Sequence, residues 1–131
     1  MAIDKVKYWL DLADYDMGVA ELMLNGGRWL YVGFMCHQLI EKTLKGYWNS
    51  VRDDDPPYTH NLKKLAISSG LYTKMSEEQK SFIDLLIPLN IEARYPSYKG
   101  RIANALTEET SKDIIDKTKV LQSWIKEKLS K

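Results

Sequence analysis

The chain has 131 residues, 44% hydrophobic and 28% charged, which is enough to bury the core of one domain over residues 1–131 and too apolar for a disordered segment. Its longest apolar run, Trp29 to Cys36, falls far short of the roughly 20 residues of a membrane-spanning helix, and the charged start Met-Ala-Ile-Asp-Lys is no export signal, so a soluble cytoplasmic protein without a membrane partner is expected. One cysteine and two histidines exclude an internal disulfide, a multi-cysteine zinc site and a multi-histidine metal cage, so no metal or cofactor is expected; the net charge of +1 argues neither for nor against a nucleic-acid partner.

Between Asp4 and Leu24, the residues Val6, Leu10, Ala13, Met17, Ala20 and Leu24 recur at spacings of three and four, while Asp11, Asp14 and Glu21 take other faces. This is the stripe of an amphipathic helix, and Asn25-Gly26-Gly27 ends it. From Arg28 to about Asn49, Leu30, Gly33, Phe34, His37, Ile40, Leu44 and Trp48 share one face, widened by Trp29, Cys36 and Tyr47, so this helix is expected at the centre of the core. Asp53-Asp54-Asp55-Pro56-Pro57 cannot continue a helix.

Thr59 can cap a short third helix with Leu62, Leu65 and Ala66 inward, closed by Gly70. Ser76 and Gln79 form a capping box for a fourth helix that faces Phe82, Leu85, Leu86 and Leu89 inward and is kinked by Pro88. Residues 94–107 read as a loop. Thr107 then caps a last helix striped by Ile114, Leu121, Ile125 and Leu129, with Glu108 and Glu109 at its positive end. No segment alternates with period two. The pattern predicts an all-α, up-down bundle of four longer helices plus one short one.

His37 stands inside the apolar stripe of the second helix, where an imidazole needs a partner, and Glu41 follows one turn later. Two readings are open: a core histidine whose tautomer the carboxylate fixes, or a His/Glu pair lining a cleft, with Lys42 and Lys45 further round to contact phosphate. Arg94-Tyr95-Pro96-Ser97-Tyr98-Lys99-Gly100-Arg101 carries three cations, two tyrosines and no acid. Guanidinium and ammonium groups bind phosphates and tyrosine rings stack on bases, although such a stretch also serves as a packing strap. It lies in residues 61–131, which hold 13 Lys and Arg against 9 Asp and Glu, whereas residues 1–60 hold 6 against 9. In Tyr58-Thr59-His60-Asn61-Leu62, His60 is either part of a capping turn or a site residue. Cys36 lies beside His37 on a buried helix but points away from it, which argues against a cysteine nucleophile.

Three stretches in order, Cys36-His37-Gln38-Leu39-Ile40-Glu41-Lys42-Thr43-Leu44-Lys45, Pro57-Tyr58-Thr59-His60-Asn61-Leu62 and Glu92-Ala93-Arg94-Tyr95-Pro96, resemble the HEPN (higher eukaryote and prokaryote nucleotide-binding) domain family; Tyr8-Trp9-Leu10 with Ala13, Asp14 and Asp16 is similar too. The resemblance implies an all-α bundle, often homodimeric, with a groove for nucleotides or RNA. It also implies a possible nucleotidyltransferase partner in a toxin–antitoxin pair. By position it points to His37, Gln38, Glu41, Lys42 and Lys45, to His60, and to Arg94, Tyr95 and Pro96. Ribonuclease members of the family place a histidine four to six residues after an arginine. Here eight residues separate Arg28 from His37 and seven separate Arg52 from His60. RNA cleavage without metal needs a base at the attacking 2′-hydroxyl, so a binding module is the leading expectation. An endoribonuclease with His37 or His60 as base is the alternative, and a purely structural interaction protein the third.

Overall fold

The computed structural model describes residues 4–94 and 106–129, with side chains left out of the description over 91–94. The helices are α1 (Lys5–Asn25), α2 (Trp29–Val51), α3 (Leu62–Ser68), a 3-10 turn (Tyr72–Lys74), α4 (Glu77–Arg94) and α5 (Glu108–Leu129). No strand occurs among the described residues. The all-α class follows from the periodicity; the 3-10 turn is an addition to it.

Each boundary has a local cause. Asp4 Oδ1 accepts from Lys7 N at 3.0 Å and opens α1. Gly26 then closes it, and Gly27 takes a φ of 70° that a side chain would resist. The capping box of α4 forms in both directions, Gln79 N donating to Ser76 Oγ at 3.1 Å and Ser76 N to Gln79 Oε1 at 2.8 Å. Thr107 Oγ1 accepts from Thr110 N at 3.1 Å at the head of α5, with Glu108 and Glu109 in the first turn. α4 runs through Pro88 without ending.

Two expectations are corrected. The cap of α3 is Asn61, whose Oδ1 accepts from Lys64 N at 3.1 Å; Thr59 accepts instead from Asn61 N and shapes the turn before the helix. On α4 the buried row is Ile83, Leu86 and Leu89, while Leu85 is 47% exposed and Phe82 only half-buried. Leu86 and Leu89 are common to both rows, so the inward face is rotated by about 50°, half a residue, from the expected one.

α2 lies at the centre, packed against α1, α5, α4 and α3. Leu39, Ile40, Leu44 and Cys36 are fully enclosed, and Ala13, Ala20, Leu65, Leu86, Ile114 and Ile125 meet them from the surrounding helices. Small residues set the close approaches: a Cβ on Gly33 would sit 2.8 Å from Leu89 Cδ1, so α4 comes as near to α2 as it does because residue 33 has none. The α1–α2 contacts pair Trp9 with Asn49 and Asp16 with Lys42, and the α1–α5 contacts pair Asp14 with Lys126 and Glu21 with Lys119. In both sets one number rises as the other falls, so α1 runs antiparallel to each neighbour. No described helix is long and apolar enough to cross a membrane.

Candidate functional site

Glu41, on the face of α2 turned toward the start of α3, is 3% exposed and gathers the charged groups around it. Its Oε2 accepts from Lys45 Nζ at 3.0 Å, one turn along the same helix. Its Oε1 lies 2.9 Å from His60 Nδ1. An ionised carboxylate only accepts, so the proton of that bond belongs to Nδ1 and leaves His60 Nε2 as the basic nitrogen. The His60 side chain is 54% exposed. Its position depends on the Asn61 cap, which turns the chain into α3 directly after the histidine. A half-exposed imidazole therefore stands on a buried carboxylate that a buried ammonium also holds.

His37 lies behind this pair at 1% exposure. Its Nδ1 is 3.9 Å from Glu41 Oε1, an electrostatic distance rather than a hydrogen bond, and that nitrogen has no hydrogen-bond partner. Glu41 thus holds His60 and not the tautomer of His37. Burial pushes the His37 pKa down to about 4, against the opposing pull of the Glu41 charge, so the ring is neutral at pH 7. Enclosed and uncharged, it supports the site from beneath.

The other residues of α2 face elsewhere. Gln38 Nε2 donates to Asn90 Oδ1 at 3.0 Å, tying α2 to α4. Lys42 Nζ pairs with the buried Asp16 of α1. The five α2 residues singled out from the sequence therefore divide into His37, Glu41 and Lys45 at the site, and Gln38 and Lys42 in helix-to-helix contacts. The side chain of Arg94, and all of Tyr95, Pro96, Tyr98, Lys99 and Arg101, lie outside the described residues. Cys36 is buried, and burial pushes its thiol up to about 11, which leaves little thiolate for nucleophilic chemistry. Among the described residues no group of three or more His, Cys, Asp or Glu side chains could hold a metal ion.

The sequence singled out Trp9 and Asp16 only within the family resemblance; it did not place the Trp9 ring centroid 5.3 Å from Lys45 Nζ, nor pair Asp16 with Lys42 or Asn90 with Gln38. The spacing of Lys45 four residues after Glu41 was a readable signal. The contact of His60 with Glu41 had none in periodicity, because a proline loop intervenes.

No curated protein and no solved structure matches the chain. The family model of the HEPN domain matches residues 6–129, nearly its whole length. With helices throughout the described residues and α2 carrying His37, Glu41 and Lys45 into contact with His60, the chain belongs to the HEPN domain family.

Proposed function

We propose that the chain is a nucleotide- or nucleic-acid-binding module, formed by one cytoplasmic domain over residues 1–131 folded as an up-down bundle of four longer helices and one short one. The observation that carries this reading is the half-exposed His60 held 2.9 Å from buried Glu41 in a member of the HEPN family. His60 is the group that meets phosphate, with the buried Lys45 charge close behind it, and Arg94, Tyr95, Tyr98, Lys99 and Arg101 form a second basic surface. The module acts as a homodimer and as the partner of a nucleotidyltransferase in a toxin–antitoxin pair.

Thermal melts with ATP, GTP and a short single-stranded RNA test the reading. A ligand at 100 times its Kd adds about 2.7 kcal/mol, several degrees for a domain of this size. His60→Ala should remove most of that shift. Equal shifts in the wild type and in His60→Ala would displace the site from this cluster, and no shift with any of the three would reject the binding module.

The geometry of His60 also favours a second reading, a metal-independent endoribonuclease. With Nδ1 donating to Glu41, Nε2 is free to take a proton from a 2′-hydroxyl. Cleavage of RNA in chelator, lost in His60→Ala while the fold survives, would establish it; cleavage that persists in that variant would exclude His60 as the base.

A further inference from the structure

Beside the cluster, α1 and the acidic loop after α2 enclose an open hollow of about 240 Å³, lined by Lys5, Tyr8, Trp9, Asn49 and Asp55. Its aromatic wall is built from two adjacent residues of α1. The rings of Tyr8 and Trp9 meet edge to face at 5.2 Å and 75°, and the Tyr8 side of the pair is open to solvent, with that residue 54% exposed. Successive helix positions diverge by about 100°, and the two side chains part accordingly, Trp9 bonding Asn49 of α2 while Tyr8 turns to solvent.

The wall is held in place. Trp9 Nε1 donates to Asn49 Oδ1 at 3.1 Å, and Asn49 Nδ2 donates to the carbonyl of Asp54 at 2.8 Å, which ties the indole to the loop. Lys5 Nζ fastens the same stretch of loop from its two flanking residues, through the carbonyl of Asp53 at 2.8 Å and the Asp55 carboxylate at 3.4 Å. One wall of the hollow touches the charged cluster: Lys45 Nζ lies 5.3 Å from the Trp9 ring centroid and bonds Glu41, which in turn holds His60.

We propose that this hollow is a base-stacking subsite, in which Tyr8 and Trp9 receive one nucleobase whose phosphate lies toward Lys45 and His60. The inference rests on the binding reading above and deepens it. Size supports it: pockets for drug-sized ligands run to about 300–1,000 Å³, so 240 Å³ holds a single flat ring system and not a whole nucleotide. Charge supports it as well. Asp53, Asp54 and Asp55 crowd the loop side and repel phosphate there, which orients the anion toward the cations of the cluster. The larger hollow between α4 and α5, about 520 Å³, is bordered by Glu78, Asp116, Leu85 and Val120 and offers no aromatic face beyond the half-buried Phe82.

The experiment measures binding of AMP, ribose 5-phosphate and a short oligo(A) to the full chain and to Tyr8→Ala and Trp9→Leu, with a thermal melt of each variant. Tyr8→Ala removes an exposed ring and should leave the fold intact, which covers the possibility that Trp9→Leu does not fold. Loss of a stacked base costs on the order of tenfold in affinity. The expected result is that loss for AMP, with ribose 5-phosphate unchanged. If oligo(A) binds tighter than AMP and suffers the same loss, the base comes from a strand; if it does not, the ligand is a free nucleotide. Full AMP affinity in Tyr8→Ala and in a folded Trp9→Leu would overturn the subsite while leaving the binding module standing. Equal losses for AMP and ribose 5-phosphate would overturn it too, because no ring is then being read. A wild type that binds none of the three probes would reject both the subsite and the proposal beneath it.

Discussion

The seam between α1 and α2 and the face shared by α4 and α5 are built on different principles. Along the seam, buried carboxylates are paired: Asp16 with Lys42 across the helices, and Glu41 with Lys45 and His60 at its edge. Between α4 and α5 an open groove exposes apolar side chains, Leu85 at 47% and Val120 at 70%, beside the charged Glu78, Asp116 and Lys117. Buried ion pairs lose much of their Coulomb energy to desolvation, so they orient groups more than they stabilise the fold. They also make a region intolerant of change, because a partner left alone is costly. The seam should therefore be fragile and the face forgiving.

The largest break should come from Glu41→Ala. It leaves the buried Lys45 ammonium without its carboxylate and releases His60, and should lower the unfolding free energy by about 3–5 kcal/mol in denaturant titration. A loss under about 1 kcal/mol would show that the charges relax into water and that the seam is not rigid.

Acid should act through His37. The unfolded ring titrates near 6.5 and the folded ring near about 4, so below 6.5 the unfolded state binds the additional proton. Stability should be full above 6.5 and fall by about 3 kcal/mol as the pH drops to 4. The groups facing the ring are Glu41 and His60, with Lys45 behind Glu41. His37→Gln should flatten that part of the stability curve, and an unchanged slope in this variant would assign the acid sensitivity to other groups.

The α4 face gives the sharpest internal contrast. Ile83→Ala should cost about 2–4 kcal/mol, whereas Leu85→Ala, two residues on, should stay within about 0.5 kcal/mol. A larger loss at Leu85 than at Ile83 would mean that α4 packs on the face expected from the sequence. The smallest effect belongs to Lys119→Ala at the exposed pair with Glu21, under about 1 kcal/mol and vanishing at high salt.

What the sequence made legible follows physical range. Caps and stripes act within a turn or two, so Gly26, the Ser76–Gln79 box and Thr107 could be read directly. Thr59 and Asn61 are both capping residues two positions apart, and only the accepted bond from Lys64 separates them. Leu86 and Leu89 belong to the expected row and are buried; whether Phe82 and Leu85 or Ile83 completes their stripe is decided by where α2 lies. Three residues of 3-10 turn are too few to carry a period. The site divides the same way: Glu41 and Lys45 share a helix face that spacing reveals, while His60 arrives through the path of the proline loop and Trp9 from another helix. The tyrosine-rich basic stretch from Arg94 to Arg101 was legible as chemistry, but lies largely outside the described residues.

The enclosed thiol of Cys36, packed beside Thr118 of α5, makes the molecule its own reporter. A thiol reagent can modify it only after α2 parts from its neighbours, so the labelling rate under native conditions measures how often the centre of the bundle opens. Because it is the chain's one cysteine, a second, engineered at an exposed position, can carry a probe without the native residue being removed.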